Sequence, residues 1–89
     1  MNFAVQWDPD NEGELHLVWL AAADPAAVRE SWERAKVLLS VNPEQLGSHI
    51  AEDLWKIMVS PIVVYFTIDH DNRIVQIENV ALLAGHEHP

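Results

Sequence analysis

Lys56, Tyr65 and Arg73 are the side chains best suited to work on a phosphate ester. An ammonium or guanidinium stabilises charge on a phosphoryl oxygen, and a phenol or imidazole can move a proton. Each of the three has a plainer reading. The Lys56 stem can run along a strand with its ammonium in water, or beside Glu52 or Asp53. Tyr65 stands in an apolar run and reads as core. Arg73 stands at the base of a turn, where a solvated charge is common. The catalytic candidates are therefore Lys56, Arg73 and Tyr65, and the binding candidates are Lys56 and Arg73.

Other constellations carry less. Asp8-Pro9-Asp10-Asn11-Glu12-Gly13 imitates the opening of a calcium loop, but Trp19 falls where that loop needs a bidentate Glu. The stretch reads better as a capped, acidic helix start. His86-Glu87-His88 offers two imidazoles and no third ligand. Asp69-His70-Asp71-Asn72 has the chemistry of a tight turn, and His16 and His49 have no partner legible in the sequence. Gly-rich phosphate loops, Gly-x-Ser-x-Gly and His-Glu-x-x-His are not found. The chain has no cysteine, which excludes disulfides, thiolate metal sites and a Cys nucleophile. Neither a metal nor a cofactor is expected.

The elements that must hold these residues are read from periodicity. From Asp53 to Leu83, three runs rich in β-branched and aromatic residues are separated by Ser60-Pro61 and by Asp69–Asn72, which predicts strands joined by hairpins. Both alternating sets of the middle run, Ile62 to Ile68, are largely apolar, as in a central strand. Phe3, Val5 and Trp7 alternate with polar or small residues and predict a first strand paired to the meander. Asp8-Pro9 and Asp24-Pro25 each place a capping Asp before a Pro suited to the first helical position. The apolar stripes behind them are Leu15, Val18, Trp19, Ala22 and Val28, Trp32, Ala35, Leu39. Glu30 and Arg34 are spaced for a helical ion pair. Asn42-Pro43 ends the second helix, and Pro43–Gly47 is a connector with room for one helical turn. The fold class is α+β: an N-terminal strand, a helical hairpin, then a three-stranded antiparallel meander.

Composition sets the limits. Eighty-nine residues with 49% apolar content make one domain, expected over residues 1–84, with 85–89 a disordered tail. Fourteen acidic residues against five basic give a net charge of −9, and the first 28 residues hold no Lys or Arg. That balance disfavours nucleic acid, whose binding relies on neutralising phosphates. It either keeps the protein soluble or receives a basic partner. The four tryptophans fall at apolar-stripe positions and read as core, not as a base-stacking platform. No apolar run is long enough for a membrane span and no signal peptide is evident, so a cytoplasmic location is expected.

This order of elements resembles the RelE/ParE superfamily of bacterial toxins from toxin–antitoxin pairs. The matching stretches are Leu17–Asp24 with the helix after it, Leu38–Pro43, Leu46-Gly47, Leu54–Asp69 and Arg73–Ile77, so the likeness runs over nearly the whole chain. The resemblance implies a sheet surface that engages a target and an antitoxin protein that wraps the toxin. RelE-like members are ribosome-dependent mRNA endonucleases that use Lys, Arg and Tyr or His on that sheet. ParE-like members poison DNA gyrase without that set. Lys56 falls where the family commonly has a basic residue. The place of the family's arginine after an aromatic reads Pro61-Ile62-Val63, and the late catalytic Tyr or His has no clear counterpart in Asn79–Leu83. The expectation is a toxin-family protein that acts by protein binding and pairs with an antitoxin. The alternatives are an mRNA endonuclease or a non-toxic acidic interaction module. A homodimer is compatible with each.

Overall fold

Ser60 and Pro61 form a two-residue turn, joined by a cis peptide bond, between β3 (Leu54–Val59) and β4 (Ile62–Asp69). Those strands pair antiparallel, and β4 pairs antiparallel with β5 (Ile74–Leu82), so the expected meander is present. The structure, a computed structural model, describes residues 2–7 and 13–83. The remaining elements are β1 (Ala4–Trp7), α1 (Glu14–Ala21), α2 (Pro25–Val41), α3 (Pro43–Leu46) and β2 (Ser48–Ala51). The order within the five-stranded sheet is β1-β5-β4-β3-β2, with β1 parallel to β5. β4 is central, and Ile62, Val64 and Phe66 are fully buried on its helix-facing side.

The sequence reading omitted β2. Ser48–Ala51 is only four residues long, every one of them exposed, and its pairing with β3 is broken by an irregularity between His49 and Ala51. A short wet edge strand has no alternation to reveal it. β5 departs from expectation in another way. Strict alternation would send Asn79 inward with Val75 and Ile77. Glu78 is instead an extra residue against β4, because Tyr65 pairs with Asn79 while Phe66 pairs with Ile77. That bulge turns Asn79 outward and buries Val80.

The helices cover one face of the sheet. Asp24 accepts a hydrogen bond from the Ala27 amide at 3.2 Å and Pro25 opens α2, as the Asp-Pro signal predicts. Val28, Trp32, Ala35 and Leu39 then form a buried stripe. Burying each Val or Leu contributes about 1.5–3 kcal/mol. Val18 of α1 and Ala22, the residue capping its C-terminus, join this core and Trp19 packs against it. The expected helix start at Asp8 and Pro9, the calcium-like stretch and residues 85–89 lie outside the described residues; Gly13 is the N-cap of α1 as described. Trp32 is buried, and Trp7, 5.0 Å away centre to centre, packs on the same core with Trp55. Among the described residues Glu33 and Lys36 pair at 3.0 Å, and the expected Glu30–Arg34 pair is not formed. No described helix is long and apolar enough to cross a membrane.

Two contacts lock the layers together. The buried Ser31 hydroxyl donates to the Ser60 carbonyl at 2.6 Å, tying α2 to the β3–β4 turn. Gly47, between α3 and β2, is so close to the sheet that a Cβ there would meet Phe66 Cζ at 2.6 Å and the Pro43 carbonyl at 2.8 Å. Its φ of −86° is open to any residue, so it is proximity that requires glycine.

Candidate functional site: the open face of the sheet

Successive residues of a strand point to opposite faces. With Ile57, Val59, Val64 and Phe66 under the helices, Lys56, Met58, Val63, Tyr65 and Thr67 face the other way. Register arranges this open face in tiers. Ser48, Lys56, Tyr65 and Asn79 form one tier across β2, β3, β4 and β5. Leu54, Thr67, Gln76 and Gln6 form the next. Lys56 and Tyr65 are thus directly opposed, a relation the sequence reading missed. It was within reach: a two-residue turn pairs Val59 with Ile62, and counting outward pairs Lys56 with Tyr65. Lys56 forms no ion pair among the described residues, so the alternative of pairing with Glu52 or Asp53 does not hold for it.

Arg73 is elsewhere. Tyr65 and the Asp69–Ile74 pair at the strand end are separated by about 13 Å of β4, and Arg73 lies beyond that pair. Its φ of 57° turns the chain into β5. Its carbonyl accepts from the Ala4 amide at 2.8 Å, and its guanidinium lies 4.9 Å from the centre of the Phe3 ring. Phe3 packs against the core beneath the helices. Lys56 and Tyr65 are brought together and Arg73 is held apart, fastening the N-terminal strand. His70 meets the edge of the same Phe3 ring, 6.2 Å centre to centre, and approaches Glu44 at 3.5 Å.

The strand end of the open face is an acidic cleft. Asp53, Thr67, Asp69, His70, Asp71 and Gln76 line it, together with Gln6 from β1. The bulged Glu78 adds a carboxylate that accepts from the Thr67 hydroxyl at 3.2 Å. Asp69 also shapes the β4–β5 hairpin: it accepts from the Asn72 side chain at 2.9 Å and from the Asn72 amide at 3.1 Å. Those two bonds, the side-chain one foremost, lower the Asp69 pKa below its ordinary 3.8. The turn chemistry expected of Asp69–Asn72 is therefore what they perform. Thr67, Gln76 and Glu78 were not singled out from sequence, and Asp53 only as a partner for Lys56. A polar residue in a half-wet strand stands out only once register shows what it faces. No group of three metal-ligating side chains is placed to hold an ion among the described residues.

No family model matches the sequence, and no curated protein matches it. Solved structures do. The toxin–antitoxin complex RelBE2 from Mycobacterium tuberculosis matches with a TM-score of 0.76 at 18% identity, covering 92% of this chain and 99% of that one. The chain adopts a RelE/ParE-like toxin fold. The RelE–RelB complex from Pyrococcus horikoshii has this fold, with a TM-score of 0.62 at 14% identity over 96% of this chain and 99% of that chain. So does a chromosomal ParDE toxin–antitoxin structure from Pseudomonas aeruginosa, with a TM-score of 0.69 at 15% identity over 91% and 96%. These identities speak for the RelE/ParE-like architecture, and the site must be judged on its own residues. On the open face of this RelE/ParE-like sheet, the described cation is Lys56, opposed to Tyr65, while Asp53, Asp69 and Asp71 line the cleft at the strand end.

Proposed function

We propose that this chain is the toxin-type member of a toxin–antitoxin pair, that it acts by binding a protein target in the cytoplasm, and that an antitoxin protein holds it in check. The fold shared with RelBE2, RelE–RelB and ParDE supports membership. The observation that carries binding over cleavage is the charge of the open face. Cutting RNA needs stabilised phosphate charge together with a base for the attacking hydroxyl. Here the face offers one described ammonium, carboxylates line its strand end, and Arg73 is occupied with Phe3. Lys56 is the contact to test first and Arg73 the second.

The direct Lys56–Tyr65 opposition favours one alternative, an mRNA endonuclease in which the lysine steadies the phosphate and the phenol moves a proton. Induced expression tests the main reading. Growth stops when the chain is expressed alone, and it resumes when the product of the adjacent reading frame is co-expressed and co-purifies. Undisturbed growth in cells that accumulate folded chain would overturn it.

A further inference from the structure

The open face changes character along its strands. At one end Met58, Val63 and Ala81 are apolar, and Met58 is 62% exposed. The next tier holds Lys56, Tyr65 and Asn79, and the one after it Leu54, Thr67, Gln76 and Gln6. At the far end Asp53, Asp69 and Asp71 line the cleft, with no Lys or Arg among its lining residues. Asp69 is six positions along β4 from Val63, a span of about 20 Å. Both α1 and α2 pack on the opposite face; on this one Met58 is the exposed apolar side chain, Lys56, Tyr65, Thr67 and Gln76 are half-buried, and Val63 is buried.

We propose that this face docks an extended segment of a partner protein, about seven residues long, with Lys or Arg at one end and an apolar side chain at the other. The inference rests on the reading that the chain acts by binding protein. Charge complementarity places the cations: the cleft carboxylates and Glu78 can accept charge-assisted hydrogen bonds from guanidinium or ammonium groups. Met58, exposed beside the buried Val63, receives the apolar end. Lys56 lies between, so a cation opposed to it would be repelled and an acidic side chain accepted, which sets the register of the segment. A second copy of a chain carrying −9 is a poor occupant, and nucleic acid a poorer one.

The probe is the synthetic peptide acetyl-Lys-Thr-Arg-Thr-Glu-Thr-Leu-amide, whose alternate side chains match the four tiers in order. It is titrated into the isotopically labelled full-length chain and followed by amide chemical shifts and fluorescence anisotropy. The amides of Gln6, Thr67 and Gln76 should shift while those of α2 stay still. Asp53→Asn with Asp71→Asn should weaken binding about fivefold or more. Glu30→Gln with Glu33→Gln, the same change of charge on α2, should leave it within about twofold. Asp69 is kept because it holds the hairpin. The proposal is overturned if no shifts appear at millimolar peptide, if the α2 variant weakens binding as much as the cleft variant, or if a peptide with Glu in place of Lys and Arg binds equally. Dimerisation lost on Met58→Glu would also overturn it, by making a second copy the occupant. A harmless chain that binds the peptide removes the toxin reading and leaves this surface; a toxic chain that ignores it does the reverse.

Discussion

Lys56 stands directly across β3 and β4 from Tyr65, in the register set by the two-residue turn at Ser60-Pro61. Both side chains are half-buried on the face away from the helices, so neither supports the core. Lys56→Ala and Tyr65→Phe should each change stability by no more than about 0.5 kcal/mol. Urea unfolding measures this. In growth assays Lys56→Ala should lose most of the inhibition that the wild-type chain produces, since it removes the one described cation of that face. Inhibition that survives Lys56→Ala would move the functional surface elsewhere.

Gly47 is pressed against Phe66, which is fully buried. Gly47→Ala forces a methyl onto the ring edge and the Pro43 carbonyl, a clash that rotation of a flexible side chain cannot relieve. A loss of about 1–3 kcal/mol is expected, in the range of overpacked cores. Gly13→Ala makes a control: among the described residues nothing lies within 4 Å of the added methyl. Equal stability of Gly47→Ala and wild type in thermal unfolding would contradict the close approach.

Ser31 is buried, and its hydroxyl joins α2 to the β3–β4 turn through the Ser60 carbonyl. Ser31→Ala should cost about 1 kcal/mol, the net worth of one such bond. Hydrogen exchange would show where that loss falls. Faster exchange at the Leu83 amide, which donates to the Pro61 carbonyl at 2.8 Å, is expected if the turn loosens.

The lowered pKa of Asp69 has a pH consequence. The ionised carboxylate is favoured in the folded chain, so the stabilisation is fully present above the ordinary 3.8. It fades as pH falls from there through the lower folded value. Asn72→Ala removes the largest cause, the side-chain hydrogen bond. The Asp69 pKa should then rise toward 3.8, which a carboxyl NMR titration reads directly. The mutant should fall behind wild type at neutral pH and draw level with it in acid.

Much of this architecture was legible because tertiary packing agreed with local pattern. Asp24-Pro25 marked α2 by a cap and a preset φ, and the continuous apolar run Ile62–Ile68 marked β4 as central. What stayed hidden depended on partners distant in sequence. β2 owes its existence to β3, not to any alternation of its own. The bulge at Glu78 cannot be seen in Gln76-Ile77-Glu78-Asn79-Val80 without β4 beside it. The candidate site was half legible: Lys56 and Tyr65 were both singled out, and counting from the turn would have opposed them. Arg73 looked like their companion because sequence distance conceals the strand length that parts them. The cleft formed by Asp53, Asp69 and Asp71 joins two hairpin tips that only the sheet brings together.

If, as proposed, this RelE/ParE-like chain holds on to a protein and does not cut RNA, transcripts in cells that express it stay whole. Mapping transcript 5′ ends in such cells is the decisive measurement. Arrested growth with no new ends within coding regions is expected. New ends positioned by codon, absent from cells expressing Lys56→Ala or Tyr65→Phe, would contradict it and make the opposed lysine and tyrosine a nuclease site.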